Sequence, residues 1–221
     1  NDDYIIRLEI SDRAGNLRRI DTPVRIYNLT IFNLSDSTDP FSPNADDNRD
    51  TTTISASLTT LANWTLEIKD ANANLKRSFT GTGISISQVW NGKDESNNIV
   101  SDGVYTYTIS ATDPVTGAVA IPVSSTTTVD NTLPTASITE PLSGATLSGT
   151  VAIRGTAQDT NFYIGYLFYG RGTNPTSWSY ITSFGQTGAE PVLLANWNTS
   201  TLTNDDYIIR LEISDRAGNL R

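Results

Sequence analysis

The sequence predicts an all-β chain of antiparallel β-sandwiches in tandem, and three observations carry that prediction. Apolar residues recur at every second position along most of the chain, which is the spacing of a strand with one buried face. Clusters of Gly, Asn, Asp and Pro interrupt these runs at short intervals, and no run of ten or more residues has helical spacing. A long segment also occurs twice: Asn1 to Arg18 and Asn204 to Arg221 both read NDDYIIRLEISDRAGNLR, 203 residues apart.

The duplication sets the scale of the architecture. Repeat families usually have units of about 20 to 50 residues, so a unit of 203 residues is one or more whole domains rather than a solenoid turn. Identity without a substitution reads as recent duplication within a natural array. An engineered duplication is the alternative.

Composition narrows the function classes. The 221 residues suit one or two domains, and 37% hydrophobic with 9% aromatic residues can fill sandwich cores. His, Cys and Met are absent, so there is no disulfide framework, no thiol nucleophile and no imidazole base. A net charge of −9 and a pI near 4.4 argue against a nucleic-acid partner and favour cations. No stretch approaches the roughly 20 apolar residues of a membrane span. Neighbouring carboxylates such as Asp94 and Glu95 fall in a turn, where solvation explains them, so no enzymatic activity is expected.

The strands follow in order. Tyr4, Ile6, Leu8 and Ile10 recur at every second position with mostly polar residues between them, and a turn SDRAGN leads to a second candidate strand from Leu17 to Tyr27. Trp64, Leu66 and Ile68 alternate with Thr65, Glu67 and Lys69, and Tyr105, Tyr107 and Ile109 with Thr106, Thr108 and Ser110. The sequence TVDNTLP, Thr128 to Pro134, reads as a linker. Residues 27–131 then make one sandwich of roughly seven strands, and residues 132–221 a second that lacks its final strand. Residues 1–26 read as the last two strands of a preceding sandwich. An isolated hairpin is marginal in water and an unpaired edge invites pairing, so each is expected to need a partner. The expected partner is another copy, joined covalently or by strand addition. The residues that would carry that junction are Asp3, Tyr4, Ile5, Ile6, Arg7, Leu8, Ile10, Val24 and Ile26, with Tyr207, Ile209, Leu211 and Ile213 on the receiving side.

Three motifs in the first sandwich carry a resemblance: DPFSPNADDNRDTTTISASL from Asp39 to Leu58, WTLEIKDANANLKRSF from Trp64, and VWNGKDESNNIVSDGVYTYTISATD from Val89. They resemble the immunoglobulin-like domain of the flagellar hook-capping family, whose pattern runs FSPNGDGxND, TxxIxDxxGxxV, WDGxDxxGxxVxxGxYxY. Ala45 and Asp47 stand where that pattern has glycine, and Asn91 where it has Asp. The second sandwich resembles bacterial immunoglobulin-like repeats of surface proteins in PLSGATLSGTVAIRGTAQD, YGRGTNPTSW and LTNDDYIIRLEISDRAGN. The resemblance implies tandem immunoglobulin-like modules that are extracellular or on a bacterial cell surface: spacers, adhesin stalks or appendages of secreted enzymes.

Asp36, Asp39, Asn44, Asp46, Asp47, Asn48 and Asp50 form the densest oxygen-rich segment. A hard cation such as calcium takes six to eight oxygens of this kind, although the spacing is not that of an EF-hand. Asp and Asn also cap turns without metal, which is the competing reading. A second cation site is conceivable where Asp130 and Asn131 approach Asp159, with Asp12, Asp21 and Asp215 at the other junction. Trp64 and Trp90 fall on apolar strand faces and read as core, whereas Trp178, beside GRGTNPTS, reads as the exposed aromatic that could meet a glycan. The expected function is a structural repeat unit of a fibre or stalk, with a binding or spacer module as the alternative. At ~3.3 Å per strand residue, a unit of two sandwiches in line is roughly 70 to 90 Å long.

Overall fold

The computed structural model describes residues 2–221; Asn1, the first residue of the first copy, lies outside the described residues. The described residues form thirteen strands and no helix: β1 (Asp2–Ser11), β2 (Leu17–Ile26), β3 (Ile31–Asp36), β4 (Thr52–Lys69), β5 (Leu75–Trp90), β6 (Gly103–Thr112), β7 (Val123–Val129), β8 (Thr135–Glu140), β9 (Thr150–Gln158), β10 (Phe162–Arg171), β11 (Ser179–Phe184), β12 (Val192–Asn198) and β13 (Tyr207–Asp215). The registered pairs are antiparallel, so the chain is an all-β protein of antiparallel sandwich type.

β1 and β2 form a two-stranded sheet of their own, in register from Asp2↔Ile26 to Ser11↔Leu17. One face carries ion pairs Arg25–Asp3, Arg7–Asp21 (2.8 Å) and Arg19–Glu9 (2.6 Å). The other carries Tyr4, Ile6, Leu8, Ile10 and Ile20, all about half exposed, Ile6 most at 62%.

The strands β3 to β7 make one sheet in the order β3-β4-β6-β7, with β5 paired to β4. Five strands stand where about seven were expected, because β4 and β5 are 18 and 16 residues long. The first half of β4 pairs with β3 (Ile31↔Leu58) and its second half with β6 (Leu66↔Ile109), so one strand does the work of two. Ile54, Ala56, Leu58, Ala62, Leu66 and Ile68 are buried along it, with Thr60 and Trp64 in the same alternation only half-buried, and Tyr105, Tyr107, Ile109 and Ala111 are buried on β6.

Two three-stranded sheets follow, β12-β9-β8 and β11-β10-β13. Their inner faces meet in a core of Ile153, Leu167, Leu194 and Trp197, extended by Ala157, Phe162 and Ile213. Tyr169 and Tyr207 pack around the Trp197 ring at 5.1 and 6.2 Å between centroids, the tilted and edge-on geometries that aromatic quadrupoles favour.

The chain separates into two compact units. One takes the chain up to Ser37 with Thr53–Val89 and Tyr105–Thr126; the other takes Thr38–Thr52, Trp90–Val104 and Thr127–Arg221. The second unit therefore includes two long loops that precede its own strands in sequence. Those loops build the candidate site.

Candidate functional site

The loop Thr38–Thr52 is anchored through Phe41. Its N–H donates to Thr128 O (3.0 Å) and its carbonyl accepts from the Asp130 N–H (3.0 Å), which makes it a one-residue parallel bridge to Val129. The Phe41 ring is fully buried with its edge on Trp90 at 5.3 Å, and the Trp90 indole donates to Lys93 O at 3.1 Å. Trp90 is thus a core residue, as the strand pattern implies.

Beyond Phe41 the chain closes on itself through the Ser42 N–H and Arg49 O (2.9 Å). Inside this loop the oxygen-rich residues turn to the backbone. Asp50 accepts from the N–H groups of Ala45 (2.6 Å) and Asp47 (2.9 Å), Asn44 from that of Asp46 (3.1 Å), and Asp46 from that of Asn48 (2.9 Å). Elsewhere, Asp36 accepts from the Tyr107 hydroxyl at 3.3 Å and Asp39 from the Thr128 N–H at 2.8 Å. Asp39, Asn44, Asp46 and Asp50 thus accept backbone N–H groups in the way that Asp and Asn favour at turns and strand ends.

The loop receives the second copy of the repeated turn, Asp215–Asn219. Asn48 Nδ2 donates to Gly218 O (2.7 Å), Arg49 Nη1 to Arg216 O (2.9 Å), and Ser42 Oγ to Asn219 Oδ1 (2.6 Å). Asn44 Nδ2 adds a second bond to Asn219 Oδ1 at 3.2 Å. Asn219 Nδ2 donates to Asp130 O (2.8 Å) and to Asp215 Oδ2 (2.7 Å). Asn219 is fully buried, and both donors and both acceptor positions of its amide are engaged. No Cβ fits at Gly218, where it would stand 2.7 Å from Asn48 Nδ2 on a backbone with φ +100°.

Three carboxylates meet beneath this turn. Asp130, Asp159 and Asp215 each offer an oxygen within 4.8 Å of the others, and Asp130 and Asp215 are both 4% exposed. Burial pushes the Asp215 carboxyl up, hydrogen bonds from Asn219 pull against it, and the Asp130 charge adds to the rise. Burial likewise raises Asp159, aided by the charges of Asp130, Asp215 and Asp102 and opposed by the Asn161 N–H. Amide donors moderate the crowding: Asn161 Nδ2 bonds Asp130, and the Thr132 N–H donates to Asp130 Oδ1 at 3.1 Å. Asp102 is exposed, and against some desolvation the Thr132 hydroxyl and Asn131 amide hold its carboxyl below the usual range. An oxygen-only set of this kind suits a hard cation.

Sequence reasoning placed Asp130 near Asp159 but set Asp215 at a different junction. The structure brings all three together, while Asp12 caps its own turn through Asn16 and Asp21 pairs with Arg7. Ser42, Asn161 and Asn219 were not singled out, because isolated small polar residues carry no spacing signal; the one clue was that Asn219 belongs to the repeated SDRAGN. Trp178 is half-buried, with the Arg210 guanidinium 3.5 Å from its ring centroid.

No protein-family model matches the chain, and no curated protein matches it. Among solved structures, a mutant of Salmonella alpha-2-macroglobulin is similar over 99% of this chain, at 9% identity and a TM-score of 0.31. The chain spans 18% of that protein's length.

Proposed function

We propose that this chain is a structural repeat unit of a secreted bacterial fibre or cell-surface stalk, with successive units joined through the duplicated segment. One observation carries the reading. The same eighteen residues occur in two settings: once as a hairpin with exposed apolar side chains, and once with Ile213 fully buried and the turn held by the loop Ser42–Arg49. A segment whose sequence is unchanged while its burial differs suits a junction between consecutive repeats.

Immunoglobulin-like modules suit this role, and the loop backbone supports the likeness. Ala45 and Asp47, at the glycine positions of the hook-capping pattern, both have φ +66°, the left-handed conformation glycine adopts freely. Negative-stain microscopy of the native material tests the reading: filaments with a regular axial repeat are expected, and dispersed single particles would count against it. The Asp130–Asp159–Asp215 cluster favours a second reading, a spacer or binding module stiffened by calcium. Calcium titration separates the two, because a passive fibre unit melts at the same temperature with or without it.

A further inference from the structure

We propose that the loops Thr38–Thr52 and Trp90–Val104 make the two compact units one cooperative folding unit, which the sequence boundary near residue 131 does not divide.

The division between the units runs through strands rather than between them. β4 starts at Thr52 in the second unit and continues in the first, β5 leaves the first unit at Val89 to end on Trp90, and β7 passes from one to the other between Thr126 and Thr127. The chain crosses after Ser37, Thr52, Val89, Val104 and Thr126, so neither unit is a continuous segment. Melting one alone would cut strands at these points and strip partners from backbone groups that native structures keep paired.

Inside the second unit the two loops are packed on each other and on the strands that follow them. A Cβ at Gly92 would stand 2.4 Å from Pro43 Cγ, which leaves no slack between the loops, and the Val100 N–H closes the second loop on Gly92 O at 2.8 Å. Asp102, at the far end of that loop, accepts from the Asn131 N–H (2.9 Å) and the Thr132 hydroxyl (2.6 Å). A continuous path then runs from the end of β5 to the end of β13. The Trp90 ring meets Phe41, the Phe41 carbonyl takes the Asp130 N–H, the Asp130 carbonyl takes Asn219 Nδ2, and the Asn219 N–H caps Asp215. Trp90, Phe41 and Asn219 are all fully buried. Opening the turn at Asn219 therefore uncovers this path, and each aromatic ring on it removes on the order of 150–250 Å² from water when buried. Residues joined through one buried network are expected to couple rather than to act independently.

The four tryptophans divide between the units, Trp64 in the first and Trp90, Trp178 and Trp197 in the second. Labelling the whole chain with fluorotryptophan and following each ring by fluorine NMR through a urea titration therefore reads both units at once. Trp64 and Trp197 should lose their native signals at a common midpoint. Ile153→Ala, in the core of the second sandwich, and Gly218→Ala, in the turn held by the first loop, should each lower both midpoints together, by roughly 1 M urea. A Trp64 signal that outlasts that of Trp197, in the wild type or in either variant, would overturn the proposal, as would a Gly218→Ala shift confined to Trp197. Should a variant be unfolded without urea, loss of both native signals supports the coupling and survival of the Trp64 signal refutes it.

Discussion

Asn16 and Asn219 occupy the same place in the same eighteen-residue sequence and hold the same local turn. Each donates its backbone N–H to the Asp four residues earlier at 2.9 Å and its side-chain amide to that carboxylate at 2.7 Å. Asn219 is nevertheless fully buried among Ser42, Asn44 and Asp130, whereas Asn16 is exposed. The turn geometry is therefore set by its own sequence and is the same in the exposed and the buried setting.

That comparison yields a paired prediction. Asn219→Ala leaves the Asp130 carbonyl buried without its partner and the Ser42 hydroxyl with only its longer bond to Asn131 Oδ1 (3.4 Å), and should cost about 2–3 kcal/mol. Asn16→Ala removes only solvent-exposed bonds and should cost under about 1 kcal/mol. Urea unfolding of the two variants provides the measurement, and equal costs would mean that the buried network contributes nothing beyond the turn.

The crowded carboxylates set a pH dependence. Asp159 and Asp215 are raised above the ordinary value of 3.8, so each binds its proton more tightly folded than unfolded. Their contribution to stability is greatest in acid, falls as pH rises from 3.8 to the raised folded value, and remains a penalty at neutrality. Asp159→Asn, which keeps the acceptor for the Asn161 N–H, should stabilise the chain at pH 7 by up to about 1 kcal/mol. The gain should vanish near pH 3, where the wild-type carboxyl is protonated in both states. Thermal melts at both pH values decide this.

Calcium offers a second probe of the same cluster. Millimolar calcium should raise the melting temperature of the wild type and Asp159→Asn should abolish that rise; a wild-type melt unchanged by calcium would mean that the three carboxylates do not take up the ion.

The loop backbone supplies another expectation. Ala45 lies at φ +66°, where an L-residue is strained by about 1–2 kcal/mol, and its N–H is bound to Asp50. Ala45→Gly relieves the strain at some cost in unfolded-chain entropy, so a net gain of up to about 1 kcal/mol is expected, measurable as a higher urea midpoint.

Close packing between sheet neighbours predicts the opposite sign on β9. A Cβ at Gly155 would lie 2.0 Å from the Ser137 carbonyl oxygen on the adjacent strand. Gly155→Ala must part β8 from β9, and about 3 kcal/mol or more should be lost, with weaker hydrogen-exchange protection along that pair.

Much of this was legible in the residues themselves. Period-two alternation located the buried faces of β4, β6 and β13, because a half-buried strand records its environment directly in its side chains. The loop chemistry at Asp36 to Asp50 was legible only as two competing readings, since turn capping and cation binding use the same residue types. Strand length was not legible at all: nothing local marks that β4 continues from its pairing with β3 to its pairing with β6.

By itself, then, the sequence determined the strand periodicity, the turn chemistry and the duplication, because each depends on neighbours a few residues apart. Tertiary structure alone decided that Asp130, Asp159 and Asp215 converge and that Ile213, Asp215, Ala217 and Asn219 are buried in one copy while their counterparts Ile10, Asp12, Ala14 and Asn16 are exposed in the other. The reason is physical: burial and charge crowding depend on residues far away in the chain, and two identical stretches cannot encode different surroundings.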